Sequence, residues 1–563
     1  MSKLVALAEN QLREVILSAI GLAVSAGELP AEPIPAFSIE IPADRSHGDL
    51  SSNAALVSAK AFRLPPRKIA EIIKNHIVLD GTFFESADVA GPGFLNFTMS
   101  QAFYAGVVKD ILELGDKYGR SDYGNGKKVM VEFVSANPTG PMHMGNARGG
   151  ALGDCLASVL EAAGYDVWRE FYVNDAGNQI EKFGISLEAR YLQLFKGEDA
   201  VEFPEDAYHG EDIIEHARNF AAIYGDKYVD ADPETRRQAL IDYALPLNIE
   251  KMHRDLEKYR IKYDCWFRES TLHQNGELAE TIQLLKDRGL TYEKDGALWY
   301  RASEYGGEKD EVLVRANGNP TYFAADIAYH RNKFARGFDL CIDVWGADHH
   351  GHVARMKGAM DAIGLDGDKL KVVLIQLVRL MRGGEVVRMS KRTGKAIQLA
   401  DLLEEIPVDA ARFFFNQREA NTQMDFDLEL AVEKSSQNPV YYVQYAHARI
   451  CSIFRNLQAE GITLGEVTED DLLVLAQHEE KELIRHLAGY TGEIVEAAIT
   501  FEPARITRYC LDLASLFHKF YNACRVKCED EKLMKARLAL CEAARVTLKN
   551  ALSMLKIEAP DSM

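Results

Sequence analysis

The sequence has few of the features that stabilise secreted miniproteins or anchor membrane proteins. Its 563 residues include eight scattered cysteines without a CxxC pair, which argues against a disulfide framework and suits a reducing cytoplasm. No uninterrupted apolar run reaches the roughly 18 residues of a membrane span, and residues 1–10 do not form the apolar core of a signal peptide. We therefore expect a cytoplasmic protein that does not enter a membrane.

Basic residues are also in the minority. The chain has 65 Lys and Arg against 85 Asp and Glu, which gives a net charge of −20 with neutral histidine. This excess of acid argues against a protein that coats nucleic acid, but it is compatible with nucleic acid bound on one local face. Residues 501–563 differ from the rest, because they contain eleven Lys or Arg and only eight Asp or Glu.

What is present predicts an α/β protein of three domains. Residues 1–112 mix helical and strand patterns and indicate a small α+β domain. Residues 120–430 have the pattern of a Rossmann-like parallel-sheet domain, with a charged and mostly helical insertion at about 194–300. Residues 431–563 have helical patterns almost throughout, which predicts an all-α domain. The parallel sheet of the central domain is predicted from apolar runs at 128–134, 166–173, 340–345 and 371–378.

One segment rich in Gly and Pro, Ser135-Ala-Asn-Pro-Thr-Gly-Pro-Met-His-Met-Gly-Asn, follows a predicted strand and opens a predicted helix. A helix N-terminus offers free N–H groups and partial positive charge, which suit phosphate. His143 can donate hydrogen bonds to phosphate oxygens, and Gly145 leaves room for a nucleotide against the backbone. Taken alone, the segment is equally compatible with a turn in which proline and glycine only set the geometry.

A second segment, Arg388-Met-Ser-Lys-Arg-Thr-Gly-Lys, concentrates cations that can neutralise a polyphosphate. A charge cluster of this kind is more often a solvated loop. The presence of both segments in one chain is more specific than either alone, and it favours a nucleotide site.

Together the two segments resemble the signatures of class I aminoacyl-tRNA synthetases. His143-Met-Gly-Asn is similar to the HIGH motif, with Asn146 in place of the second histidine. Arg388-Met-Ser-Lys-Arg is similar to the KMSKS loop, with Arg388 in place of the first lysine and Lys391 as the central lysine. The amide of Asn146 still donates a hydrogen bond, and Arg388 keeps the positive charge.

Within that class, the chain resembles the arginyl-tRNA synthetases of bacterial type from end to end. The first signature has the form of that family, and six other segments are similar to its sequences: Gly48-Asp-Leu-Ser-Ser-Asn, Ala90-Gly-Pro-Gly-Phe-Leu-Asn-Phe, Phe171-Tyr-Val-Asn-Asp-Ala-Gly-Asn-Gln, Thr321-Tyr-Phe-Ala-Ala-Asp-Ile-Ala-Tyr-His, Val344-Trp-Gly-Ala-Asp-His-His-Gly-His and Asn438-Pro-Val-Tyr-Tyr-Val-Gln-Tyr-Ala-His-Ala-Arg.

The resemblance implies an ATP-dependent ligase that forms arginyl-adenylate and then charges the 3′-terminal adenosine of tRNA(Arg), with Mg²⁺ on the phosphates. It implies catalytic roles for His143, Asn146 and Lys391. The residues implied in ATP binding are His143, Gly145, Asn146, Arg388, Met389, Ser390, Lys391 and Arg392. Those implied in arginine binding are Glu132, Ser135, Asn137, Glu269, Tyr322, Asp326 and His349, with Asp326 as the first candidate for a bidentate partner of the guanidinium.

The resemblance also implies that the first and last domains contact tRNA, the last one at the anticodon, and we expect a monomer. Aromatic rings on the last domain can stack on unpaired bases, and cations there can contact phosphates. Most of the rings in these helices are expected to be helix core. The candidate tRNA contacts are Tyr441, Tyr445, Arg449, Arg525 and Lys527.

Three other functions remain open from the residues alone. The chain could be a nucleotidyltransferase that uses no tRNA, although the second signature and the helical third domain count against it. It could be a tRNA-binding protein without activity, against which His143, Lys391 and Asp326 argue. It could also be a zinc hydrolase built on Asp348, His349, His350 and His352, although consecutive residues rarely turn to one ion, so we expect no metal site. A zinc site at Cys524, Cys528 and His518 is disfavoured because these residues fit one helical face.

Overall fold

The computed structural model describes residues 3–42, 44, 47–387 and 397–563. Its first elements form a small α+β domain, as the sequence predicts. Helix α1 buries one stripe of apolar side chains, from Ala8 through Leu12, Ile16 and Ile20 to Ala23, on the helical spacing expected of it. The strands form an antiparallel sheet in the order β1-β2-β4-β3. The elements are α1 (Lys3–Ser25), β1 (Ile39–Glu40), β2 (Leu50–Ser52), α2 (Ala54–Phe62), α3 (Pro66–Asn75), β3 (Phe84–Ala90), β4 (Phe94–Met99) and α4 (Gln101–Leu114).

The middle of the chain is built on a five-stranded parallel sheet, which confirms the predicted fold class. Its order is β12-β11-β5-β6-β7, with every neighbouring pair parallel. The elements are β5 (Lys128–Glu132), α5 (Met144–Ala162), β6 (Asp166–Val173), α6 (Asn178–Lys196), α7 (Glu211–Tyr224), α8 (Pro233–Lys258), β7 (Cys265–Arg268), α9 (Glu269–Gln274), α10 (Glu277–Asp287), β8 (Thr291–Lys294), β9 (Ala297–Tyr300), β10 (Glu311–Val314), α11 (Tyr322–Ala335), β11 (Leu340–Gly346), α12 (His350–Ala362) and β12 (Leu370–Ile375).

The region at 194–300 is helical only in part, which differs from the insertion that the sequence predicts. It contains β7, which pairs with β6 as the edge strand of the central sheet, and β8 and β9, which join β10 in a separate antiparallel sheet. Each of these strands has four residues. Four residues are too few to show a two-residue period against long helical neighbours, so the pattern of the region is dominated by its helices.

The chain continues from the central sheet into a second small sheet and then into helices. Strand β13 pairs with β14 and, in parallel, with β15. The elements of this part are β13 (Val378–Arg382), β14 (Glu385–Val387), α13 (Leu399–Glu405), α14 (Val408–Phe415), β15 (Met424–Asp427) and α15 (Leu428–Val432). The final helices are α16 (Pro439–Ala459), α17 (Glu469–Leu472), α18 (His478–Ala488), α19 (Tyr490–Thr500), α20 (Ala504–Ala523) and α21 (Glu531–Met554). No helix in these described ranges is long and apolar enough to cross a membrane.

Helix α5 is buried on all sides, and two buried arginines hold it in place. Arg148 of α5 donates to the carbonyl oxygens of Gln376 at 2.8 Å, Thr422 at 2.9 Å and Glu419 at 2.8 Å. Arg412 of α14 forms an ion pair with Asp154 of α5 at 2.5 Å. Both guanidinium groups are completely buried, so these bonds are needed to offset the cost of taking a charge out of water.

The end of the chain ties the helical domain to the central one. Arg412 also donates to the carbonyl oxygen of Leu555 at 2.8 Å. Asp409, at the start of α14, accepts hydrogen bonds from Arg260 and from Gln444 of α16, the second at 2.8 Å. Gln444 in turn donates to the carbonyl oxygen of Glu558 at 2.9 Å. The helix that carries the tRNA-contact candidates is therefore bonded directly to the domain with the parallel sheet.

We expect Arg412→Met to lower the free energy of unfolding by about 3 kcal/mol or more, because Asp154 would lose the shorter of its two ion pairs inside the core. Urea or thermal unfolding followed by circular dichroism measures the change. The matched control is Arg379→Met, which removes an exposed pair with Asp425 and should change the midpoint little. Equal effects of the two substitutions would contradict the importance of the buried pair.

Candidate active site

A cavity of about 700 Å³ opens where the carboxyl ends of β5, β6 and β11 meet the N-terminus of α5. This is the edge at which parallel sheets of this kind bind ligands. It brings together eight of the residues selected from the sequence: Glu132, Ser135, Asn137, His143, Asn146, Tyr322, Asp326 and His349. Gly145 lies in the first turn of α5 beside them, and Glu269 begins α9 next to the cavity. Arg388, Met389, Ser390, Lys391 and Arg392 lie outside the described residues.

The N-terminus of α5 is closed by the first signature. The N–H of Gly145 donates to Nδ1 of His143 at 3.1 Å, and the N–H of His143 donates to Oδ1 of Asn146 at 3.0 Å. Burial lowers the pKa of His143, so the ring is neutral, and a neutral ring that accepts at Nδ1 carries its proton on Nε2. His143 Nε2 and the amide nitrogen of Asn146 are thus hydrogen-bond donors that capping leaves available.

The chain that resumes at residue 397 is bonded to the first signature through the backbone. The N–H of Met144 donates to the carbonyl oxygen of Ile397 at 3.2 Å, and the N–H of Leu399 donates to the carbonyl oxygen of Met142 at 3.0 Å. Residue 397 lies two positions after the second signature, which ends at Lys395. The chain after that signature is therefore bonded to the residues on either side of His143.

The loop after β5 is bent sharply to present polar groups to the cavity. Val134 and Ser135 have positive φ values of 71° and 42°, which are uncommon for residues other than glycine. In this conformation Ser135 Oγ donates to Glu132 Oε1 at 2.8 Å and accepts from the N–H of Tyr172 at 3.2 Å. The bend therefore joins the ends of β5 and β6 through a side chain that lines the cavity.

A carboxylate of the cavity lining, Asp326, has a second carboxylate near it, that of Glu269 next to the cavity. Asp326 of α11 accepts from His352 at 3.1 Å, and Glu269 accepts from the hydroxyl of Tyr172 at 2.8 Å. Burial raises the pKa of Glu269 to about 7; Tyr172 opposes this shift, and the charges of Asp326 and Asp175 add to it. A cationic ligand would favour the ionised form of Glu269, which makes the surroundings of these two carboxylates suited to a cation.

Several residues of the cavity were not selected from the sequence. Tyr172 and Asn174 line it at the end of β6, and the alternative amide orientation of Asn174 donates to Glu269 at 3.1 Å. His352 and Arg355 line it from α12, where Arg355 donates to His352 at 2.9 Å. Tyr172, Asn174 and His352 lie in segments that carry the family resemblance, which is the signal that could have selected them.

The zinc alternatives receive no support from the described part of the chain. His349 lies 3.6 Å from Asp348, whereas His352 is bonded to Asp326 and Arg355. Among described residues, one group of three possible metal ligands is close enough to share an ion, and it contains neither this cluster nor Cys524 and Cys528. That group consists of His447, Cys451 and Asp561, in the helical domain.

Three of the five tRNA-contact candidates lie together on α16. Tyr441 and Tyr445 are stacked with ring centroids 6.3 Å apart. Arg449 lies 5.7 Å from the ring of Tyr445 and 4.5 Å from that of Tyr521. Arg525 and Lys527 lie on the loop between α20 and α21, where Lys527 forms an ion pair with Glu460.

Comparison with known proteins agrees with this geometry. Residues 107–454 match the family "tRNA synthetases class I (R), catalytic domain", residues 443–563 the DALR anticodon binding domain, and residues 10–99 the arginyl tRNA synthetase N terminal domain. These matches define the class of protein as a class I aminoacyl-tRNA synthetase. Relatives named arginine–tRNA ligase narrow this class further, and the chain belongs to the arginyl-tRNA synthetase family.

Two curated relatives named arginine–tRNA ligase cover almost the whole chain. The one from Ruminiclostridium cellulolyticum is 58% identical over 555 residues, 98% of each chain. The one from Acetivibrio thermocellus is 57% identical over 564 residues, 100% of each chain. The solved structure of Thermus thermophilus arginyl-tRNA synthetase has a TM-score of 0.73 at 24% identity, covers 99% of this chain and 100% of its own, and supports the fold.

We expect Tyr172→Phe to raise the pKa of Glu269 above about 7, because the lost hydroxyl is the donor that favours the carboxylate form. Infrared titration of the carboxyl stretch measures the shift, with Glu269→Gln to assign the band. Tyr292→Phe is the matched control, since its hydroxyl donates to Asp310 instead. An unchanged or lower pKa in Tyr172→Phe would contradict this assignment of causes.

Proposed function

We propose that this chain performs the reaction of its family in the cavity at the carboxyl edge of the central sheet. L-arginine and ATP react to give arginyl-adenylate and pyrophosphate, and the arginyl group then passes to the 3′-terminal adenosine of tRNA(Arg). The observation that supports this assignment is one cavity whose lining holds both the neutral donors at the start of α5 and the carboxylate of Asp326, with Glu269 bonded to Tyr172 beside it. Such a cavity is suited to an anionic phosphate and a cationic side chain at the same time.

The ATP site is assigned to the start of α5. There the Nε2 donor of His143 and the amide of Asn146 would bind phosphate oxygens beside the N-terminus of α5, with Gly145 leaving space for the nucleotide. Lys391 would stabilise the departing pyrophosphate, with Arg388 and Arg392 in support and Met389 and Ser390 alongside ATP. The backbone bonds of residues 397 and 399 to the first signature bring the following chain to this end.

Magnesium is assigned to the phosphates of ATP. The described donors at this end, the imidazole of His143 and the amide of Asn146, are not the carboxylates that would hold the ion alone. The phosphate oxygens would therefore supply its ligands, and the ion would offset their charge.

Arginine is assigned to the region of the two carboxylates. Asp326 and Glu269 would bind the guanidinium group, with Tyr322 and His349 against the substrate, whereas Glu132, Ser135 and Asn137 would bind its α-amino and carboxylate groups. A planar guanidinium satisfies two carboxylates, whereas the ammonium of lysine leaves carboxylate acceptors unpaired. The cost of those unpaired acceptors would make the site select arginine over lysine. The substrate carboxylate itself attacks the α-phosphate, so the protein positions the reactants and needs no nucleophile of its own.

The tRNA is assigned to the two flanking domains, with residues 1–112 on its body and residues 431–563 on its anticodon. Stacked Tyr441 and Tyr445 offer ring faces to unpaired bases, and Arg449, Arg525 and Lys527 offer positive charge. The catalytic domain would occupy residues 120–430. We also assign the protein to the cytoplasm as a monomer; the eight cysteines, all without a disulfide, suit a reducing compartment.

We expect arginine-dependent exchange of pyrophosphate with ATP in the presence of tRNA, and Asp326→Asn should reduce it by roughly 100-fold or more. The reason is that the guanidinium would lose a charged partner inside the cavity. Asp425→Asn, at an exposed carboxylate paired with Arg379, should leave exchange unchanged. Absence of exchange with arginine and tRNA in the unmodified protein would overturn the proposed function, and equal loss in both variants would overturn the role of Asp326.

We expect Tyr445→Ala to weaken tRNA binding by about 1–3 kcal/mol through loss of base stacking. A filter-binding titration at fixed salt measures this change. Tyr224→Ala is the matched control, because Tyr224 has the same 40% exposure but lies on α7. If both variants bind tRNA as the unmodified protein does, Tyr445 is not a contact.

A further inference from the structure

A chain of buried charges lies under the floor of the cavity. Lys333, near the end of α11, is completely buried, and its Nζ donates to Glu132 Oε2 at 2.5 Å and to Asp343 Oδ1 at 2.7 Å. Asp343 lies on β11 and Glu132 on β5, so one ammonium group joins two strands of the central sheet. No role in the reaction described above requires Lys333 or Asp343, because neither lines the cavity.

His330 extends this chain toward Asp326. Its Nδ1 lies 2.8 Å from the carbonyl oxygen of Asp326, and its Nε2 lies 2.7 Å from Asp343 Oδ2. Both partners can accept, so a proton on either ring nitrogen has an acceptor within hydrogen-bond distance. The buried group therefore joins two carboxyl groups, Glu132 and Asp343, to Lys333 and His330.

The two carboxylates respond differently to this arrangement. Although burial opposes ionisation, Lys333 and His330 lower the pKa of Asp343 to about 2. Burial and the neighbouring Asp343 raise the pKa of Glu132, against the effect of Lys333. Glu132 is the one of the two that also reaches the cavity, where Oε1 accepts from Ser135. Lys333 is therefore the cation on which the ionised state of Glu132 depends.

We propose that Lys333, held by Asp343 and His330, is a positioning residue that keeps Glu132 ionised and aimed at the α-ammonium group of the amino-acid substrate. The inference rests on the proposed function, which places that ammonium beside Glu132. Asp343 balances the charge of Lys333, so Glu132 retains a net attraction for a second cation. Without Asp343, the charge on Nζ would act on Glu132 alone and oppose the ammonium.

The test compares L-arginine with 5-guanidinopentanoic acid, which is the same molecule without the α-amino group, by isothermal titration of the full chain. Lys333→Met should weaken the binding of arginine by roughly tenfold or more, because a charge-assisted bond is lost. The affinity for the des-amino analogue should stay unchanged. Asp343→Asn, which keeps the shape of the side chain, should do the same. Lys357→Met is the control. Lys357 of α12 pairs with Asp368, and its substitution should change the affinity for neither ligand.

A pH series separates positioning from a general packing role. In Lys333→Met the selective loss of arginine should shrink as the pH rises, because loss of the cation raises the pKa of Glu132 further and a higher pH restores its ionised form. Both ligands carry the guanidinium group that Glu269 would bind, so the titration of Glu269 changes both affinities alike. Its effect therefore cancels in the ratio of the two affinities. The titratable groups that act on Glu132 are Lys333, His330 and Tyr329 of α11, Asp343 of β11, Tyr172 of β6 and Tyr263, which precedes β7.

Equal weakening of both ligands, or no weakening of either, in a folded variant would overturn the inference. If Lys333→Met does not fold, the ratio of the affinities of Asp343→Asn for arginine and for the des-amino analogue tests the inference in the same way. Failure of the unmodified protein to bind arginine would instead overturn the proposed function, so the two failures are distinguishable.

Discussion

The structure depends on the complete burial of helix α5. A helix that is surrounded by protein cannot satisfy charged side chains with water, so Arg148 donates to three carbonyl oxygens and Asp154 pairs with Arg412. These bonds join the helix to the loops around Gln376 and Thr422 and to α14. Because the body of the helix is fixed in this way, its N-terminus opens at one defined place, where His143 and Asn146 face the cavity.

The cavity uses the same kind of group for opposite purposes. Asp343 is bonded to Lys333 and His330 and has a pKa of about 2, whereas Glu269 has the phenol of Tyr172 to oppose burial and the charges of Asp326 and Asp175 to reinforce it, and has a pKa of about 7. The low pKa of Asp343 keeps it ionised as a fixed part of the scaffold. Glu269, whose pKa is raised by its surroundings, would gain more from a cation that arrives with a ligand.

The sequence allowed the fold class and much of the site to be predicted, for reasons that also explain the omissions. The strand at 128–132 was predictable from its apolar run, the strand at 166–173 from the alternation of strands with helices, and the N-terminus of α5 because its signature is local. Strand β7 was not predicted, since it has four residues beside long helices. Lys333 and Asp343 were not selected because their meaning depends on two strands and a helix that are distant in sequence.

The contact between α5 and the end of the chain has a consequence for biosynthesis. The thiol of Cys155 and the guanidinium of Arg412 both donate to the carbonyl oxygen of Leu555, which lies 400 residues after Cys155. On the ribosome, α5 is therefore made long before this acceptor exists, and the domain that contains it cannot complete its interior as it emerges. Folding of the catalytic core must wait for the helices that follow it, so a ribosome stalled within them would hold a chain whose core is still unfinished.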